Sequence, residues 1–189
     1  LNRLAHTRCY LAGAIEKVMH EDGGFTWRQK VKKDLKHLKI NWLDPTCKPT
    51  SYGIESPETW KDLTDAREKE NLASVRAMMF PICKVDLRMV DISDFIIVDI
   101  DPKIPTFGTH EEVGRAMSQN KPVLVRVEGG VKNAPFWWFE RLDPRWFFGT
   151  WEELYQFLND LSTVNLTDEE LLTWSGYKWL FFDWMGEKD

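Results

Sequence analysis

Cysteine is scarce: Cys9, Cys47 and Cys83 are an odd set with no C-x-x-C pair. That pattern suits a reducing compartment and supplies neither a disulfide framework nor a zinc site, so three free, buried thiols are expected. Long apolar runs are missing as well. Nothing approaches the ~18 residues that a membrane-spanning helix needs, and the opening stretch LNRLAHTRCYLAG holds no secretory h-region. A soluble, cytoplasmic protein with no membrane partner is expected. Nor is there a basic excess. Lys plus Arg is 25 against 30 for Asp plus Glu, a net charge of −5, which argues against a binder of nucleic-acid backbone. The chain has no G-x-G-x-x-G, no Walker A lysine and no H-E-x-x-H, and His6, His20, His37 and His110 show no ligand spacing. Neither a metal nor a cofactor is expected.

What is present is enough for one domain. At 189 residues a chain buries about 70% of its unfolded surface, so a core forms without staples. Short apolar runs alternate with amphipathic stretches, the pattern of βαβ units and a mainly parallel sheet. Cys9–Ala12 reads as a first strand ended by Gly13. Thr26-x-x-Gln29 reads as a capping box opening a helix with Trp27, Val31, Leu35 and Leu38 on one face. Ile40 to Leu43 is a second strand, and residues 46–56 are a loop. Ser56-Pro57 is an N-cap followed by proline at the first helical position, opening a helical region through Leu72, Val75 and Met79 that Pro81 must break or kink.

Phe95-Ile96-Ile97-Val98 has the continuous β-branched character of a central strand buried on both faces. A loop over Asp99 to Gly108, a helix over Thr109 to Asn120 and a strand over Pro122 to Val127 follow. The last third is aromatic: seven of ten tryptophans fall at Trp137 or later. Thr150-x-x-Glu153 and Thr167-x-x-Glu170 are capping boxes for two further helices. The expected architecture is a single α/β domain over 1–189. It has a flavodoxin-like doubly wound core at about 8–127, helices on both faces, and an aromatic-rich helical extension at about 135–189.

In such sheets ligands sit beyond the carboxyl ends of the strands where strand order reverses. That rule selects Gly13 to Glu16, Asp99 to Gly108 and the helix start at Thr109. Carboxylates crowd these segments: Glu16, Asp86, Asp91, Asp94, Asp99, Asp101, Glu111 and Glu112. Paired carboxylates suit glycosyl transfer, one as nucleophile and one as acid on the leaving group. The plainer readings are that Glu112, three after Thr109, is the acidic member of a capping box, and that Asp91 and Asp94 are a solvated face and a turn residue. A phosphate at the Gly108-Thr109 helix start is opposed by Glu111 and Glu112.

Tyr10-Leu11-Ala12-Gly13-Ala14-Ile15-Glu16, Trp27-Arg28, Asp86-Leu87, Ser93-Asp94, and G-T-H-E-E-V-G-R-A from Gly108 before Lys121-Pro122-Val123 together resemble the nucleoside 2-deoxyribosyltransferase family over about residues 8–127. The resemblance implies transfer of 2-deoxyribose between nucleobases, with nucleosides and nucleobases as small-molecule partners. It places the nucleophilic glutamate on Glu112, the aspartate handling the base proton on Asp86 and the tyrosine orienting the nucleophile on Tyr10. A helix-start position would help to keep Glu112 ionised. Ala12, Gly13, Ile15, Gly108 and Thr109 become substrate-binding positions, with Gly13 letting backbone approach substrate closely. The family's acidic residue for the deoxyribose hydroxyls is replaced here by Thr106, so Asp99 or Asp101 is the expected substitute. Homo-oligomers are also implied, with Asn133 a candidate donor to a neighbouring site.

Two rival readings stand beside it. A nucleoside 5′-monophosphate N-glycosidase keeps the fold and uses water as acceptor; Glu16 disfavours its phosphate, while Lys17 and Arg28 are nearby cations. A non-catalytic binding or assembly protein would account for the tryptophan-rich third as an interface, against the simpler reading that those rings cover the sheet.

Overall fold

Five parallel strands, β1 (Arg8–Gly13), β2 (Asn41–Leu43), β3 (Phe95–Ile100), β4 (Val123–Val127) and β5 (Phe147–Phe148), pair in the order β2-β1-β3-β4-β5. They are seen in a computed structural model that describes residues 2–18 and 23–164. This is the flavodoxin-like order, with its reversal between β1 and β3. The fifth strand is only two residues long, too short to leave a period in the sequence, and was not among the four expected.

The helices are α1 (Phe25–Asp34), α2 (Pro57–Glu68), α3 (Leu72–Ile92), α4 (Phe107–Ser118) and α5 (Trp151–Thr163). Side chains alternate along each strand, so β1 sends Cys9 and Leu11 to one face and Tyr10 and Ala12 to the other. The first face is covered by Val31 of α1, by Leu35 just past its end, and by Leu154, Leu158 and Leu161 of α5. Met89 and Val90 of α3 and Val113 and Ala116 of α4 cover the second. Phe95, Ile96, Ile97 and Val98 are fully buried, each contributing about 1.5 to 3 kcal/mol of apolar transfer free energy.

Several local expectations change. Thr26 is not the N-cap: α1 starts at Phe25 behind Gly24, whose left-handed backbone (φ 72°) makes the entry turn. The helical region after Ser56 breaks at residues 69–71, not at Pro81. Glu70 is left-handed (φ 53°) and Asn71 caps the Ser74 N–H, so a new helix begins there. Pro81 lies inside α3, which continues past the one backbone bond that proline cannot donate. Cys9 is buried, but Cys47 and Cys83 are exposed.

The Thr150–Glu153 capping box is present in full. In the aromatic third, Trp138 is buried, as are Phe147 and Phe148 within β5, whereas Phe136 and Trp137 are each 89% exposed. The expected helix at Thr167 lies outside the described residues. No helix among the described residues is long and apolar enough to cross a membrane.

Candidate active site

At the carboxyl end of β1, Gly13 is paired with Asp99 of β3, and a cleft opens on the face carrying α3 and α4. Its cavity measures about 150 Å³, and with the space open to solvent the cleft reaches about 760 Å³. Gly13 and Ile15 form one rim, Asp86 of α3 one wall, and Gly108, Thr109 and Glu112 of α4 the opposite wall.

Strand alternation delivers Tyr10 beneath this cleft, and its hydroxyl donates to Glu112 Oε1 at 2.5 Å. The helix carrying Glu112 begins at Phe107, two residues before the expected start. Thr109 is therefore a buried residue inside the first turn, not a cap, and the capping-box reading of Glu112 falls. Glu112 stands in the second turn, beyond the reach of the helix-end dipole. Burial pushes its carboxyl up to about 8, with the Asp86 charge adding to the rise and the Tyr10 hydrogen bond and Arg28 opposing it. Desolvation outweighs the stabilisation expected from a helix start. Burial and the Glu112 charge likewise raise the Tyr10 phenol well above its ordinary value, so it stays a donor.

Asp86 is buried, and its Oδ1 lies 2.8 Å from Lys48 Nζ. The same ammonium is 3.0 Å from Glu55 Oε1 and donates to the Gly53 carbonyl at 2.7 Å. Burial raises the Asp86 carboxyl to about 7; the Glu55 charge adds to the rise and Lys48 opposes it. Lys48, Glu55 and the cleft-lining Trp60 were not singled out from the sequence. They come from an aperiodic loop and a helix start, where nothing local signals a distant partner.

Arg28 is fully buried beneath the first loop and donates to the carbonyls of Leu11, Gly13 and Gly24 at 3.2, 3.1 and 2.8 Å. Its donors are turned to backbone, so it is not the phosphate cation considered above. Gly13 is required by its neighbours: a Cβ there would sit 2.9 Å from Trp27 Cζ2 and 3.0 Å from the Asp99 carbonyl oxygen. Ala12 is buried in the sheet beside Val98 and does not reach the cleft lining.

Asp99 and Asp101 do not join the cleft. Asp99 alternates with Val98 and Ile100 on β3 and so points to the opposite face of the sheet. There it pairs with Arg126 at 3.1 Å, and burial raises it to about 6. Asp101 accepts the Lys103 N–H at 2.9 Å in its own turn. Thr106 does line the cleft. It stands just before α4, and its Oγ1 is buried without a protein partner, as is Nε1 of Trp60. Asn133 donates to the Gly129 carbonyl within its loop at 3.1 Å. Asp91 is held by Arg115 at 2.7 Å on the surface, and Asp94 is buried, accepting the Arg8 N–H at 2.7 Å. Among the described residues no group of three or more His, Cys, Asp or Glu side chains could hold a metal ion.

The family model described as nucleoside 2-deoxyribosyltransferase matches residues 9–132. Among solved structures the chain is similar to a 2-deoxyribosyltransferase from the psychrotolerant bacterium Bacillus psychrosaccharolyticus. The identity is 17% and the TM-score 0.49, over 85% of this chain and 93% of that one. No curated protein matches the chain.

Proposed function

Because the chain belongs to the nucleoside 2-deoxyribosyltransferase family, we propose that it cleaves the N-glycosidic bond of 2-deoxynucleosides and transfers the sugar to a second nucleobase through a covalent intermediate on Glu112. The 2.5 Å hydrogen bond from Tyr10 to Glu112 carries this reading. It occupies Oε1 and leaves Oε2 for attack on the anomeric carbon.

As the C–O bond to Glu112 forms, the C–N bond breaks and its electron pair goes to the base nitrogen. The Asp86 carboxylic acid supplies a proton there. In the second half a nitrogen of the incoming base attacks the same carbon, the ester electrons return to Glu112, and the base's N–H proton returns to Asp86. A carboxyl raised to about 7 holds and releases a proton near neutral pH, which suits it to both halves. Trp60 and Thr106 line the cleft with a free donor and a free hydroxyl, groups suited to the polar edges of a nucleoside.

Five carboxylates, Glu16, Glu55, Asp86, Glu111 and Glu112, line the cleft among its described residues, and no Lys, Arg or His does. An uncharged nucleoside suits that lining better than a monophosphate, because like charges at 4 Å cost about 1 kcal/mol even in water. Incubation with a deoxynucleoside and a different free base tests the proposal. Exchanged nucleoside is expected; free sugar alone would point to hydrolysis, and neither product in a folded protein overturns the reading.

A further inference from the structure

We propose that Glu55 and Lys48 are positioning residues that set the protonation of Asp86, the three groups forming one buried charge unit. Its use as an acid toward a leaving base rests on the function proposed above.

The unit is built in the interior. The Lys48 and Glu55 side chains are 1% and 5% exposed and that of Asp86 is 11% exposed. An ammonium has three N–H donors, and Lys48 meets the Gly53 carbonyl at 2.7 Å, Asp86 at 2.8 Å and Glu55 at 3.0 Å. The cation is thereby held between two carboxyl groups, hydrogen-bonded to Glu55 and the Gly53 carbonyl and ion-paired with Asp86, whose Oδ1 accepts no hydrogen bond of regular geometry.

One ammonium balances one carboxylate. Two ionised carboxyls around it would leave an uncompensated negative charge out of water, which favours the protonated form of Asp86. When Asp86 releases its proton, Lys48 is already in place to compensate the new carboxylate. The Glu55 charge acts in the opposite sense and favours its recapture. Among the described residues, the further titratable or charged groups around the unit are Glu112 and Glu111 from α4, Glu16 after β1, Tyr10 from β1, Cys83 from α3 and, behind β1, Arg28 from α1. Glu112 adds negative charge, so it too favours the protonated unit.

The test reads Asp86 directly. Carboxyl carbons of the full-length protein, labelled at aspartate, are titrated by NMR without substrate, with Asp86→Asn identifying the signal. Glu55→Gln keeps the shape and an oxygen for Lys48 but removes the charge. It is expected to lower the Asp86 midpoint by about one pH unit or more, roughly a tenfold change in the ionisation ratio. Lys48→Met is expected to raise it, and circular dichroism checks that each variant is folded. An Asp86 midpoint unmoved in folded Glu55→Gln overturns the proposal. If the midpoint moves as expected while the wild type cleaves no nucleoside, the proton unit stands and the proposed function falls. If both hold, the acidic limb of the rate profile in Glu55→Gln must shift down with the midpoint and the maximum rate must fall, because Glu112 titrates above Asp86.

Discussion

The Tyr10 hydroxyl reaches Glu112 Oε1 across 2.5 Å, joining residues 102 positions apart, one on the strand beside the topological switch and one on the helix that follows β3. The contact orients one carboxylate oxygen and opposes the upward push of burial on its ionisation. Tyr10→Phe should therefore lower kcat about 10- to 100-fold with little change in KM, the value of a hydrogen bond to a charged group being about 1.5 to 3 kcal/mol. Because Glu112 titrates above Asp86, the falling limb of the pH profile should also move to higher pH. An unchanged profile would show that the hydroxyl does not act on the nucleophile.

The proposed reaction needs Glu112 ionised and Asp86 protonated, and their values are raised to about 8 and about 7. They interact, so the pair loses its protons in two steps and the singly protonated form peaks between them. A bell-shaped kcat/KM with its maximum at about pH 7.5 is expected. A rate that rises without a maximum through pH 9 would remove Asp86 as the acid.

Stability should fall as pH rises. Asp86, Asp99 and Glu112 have folded-state values of about 7, 6 and 8 against ordinary values of 3.8, 3.8 and 4.5. The folded state therefore binds more protons than the unfolded one between about pH 4 and 8. Stability from these groups is full below that window and is lost as pH passes through the folded values. Glu112→Gln, which keeps an acceptor for Tyr10, should gain about 2 to 4 kcal/mol over wild type at pH 9, at about 1.4 kcal/mol per pKa unit, and little at pH 4. Urea denaturation at the two pH values measures both gains. The same variant should lose glycosidic-bond cleavage altogether, since an amide cannot form the ester.

Two glycines at the cleft rim should respond oppositely. Gly13→Ala drives a methyl against the Trp27 ring and the Asp99 carbonyl oxygen, and a cost of about 1 to 3 kcal/mol is expected. At Gly108, inside α4, a Cβ meets nothing within 4 Å, so Gly108→Ala should be neutral or stabilising by up to about 1 kcal/mol. Thermal unfolding of the pair separates the two effects.

Deoxynucleosides should have higher kcat/KM than their 5′-monophosphates, because acidic Glu16 lines the cleft and Arg28 is spent on three carbonyls. Glu16 pairs with Arg67 at 3.4 Å on the surface, which limits the repulsion, so the preference should shrink but persist in Glu16→Gln. A wild type faster on monophosphates would reverse the assignment.

Periodicity and short-range signals were enough for the parallel α/β architecture, the buried β3 run, the Ser56 and Thr150 caps, and the cleft at the switch point. Each depends on contacts within a few residues or on which face of a strand is apolar. The family resemblance named Glu112, Asp86 and Tyr10, and the fold brings Glu112 and Asp86 to one cleft and bonds Tyr10 to Glu112; their catalytic roles belong to the proposal. Placement across the sheet was decided only in three dimensions. Asp99 was lost to the cleft by strand parity, since a residue one step from Val98 must face the other layer. The start of α4 at Phe107 moved Glu112 out of reach of the helix-end dipole, which left burial to govern its ionisation. Lys48 and Glu55 meet Asp86 only because an aperiodic loop folds back onto α3. Such a loop carries no period to read, and the charge balance of the site is a property of distances that sequence neighbours do not encode.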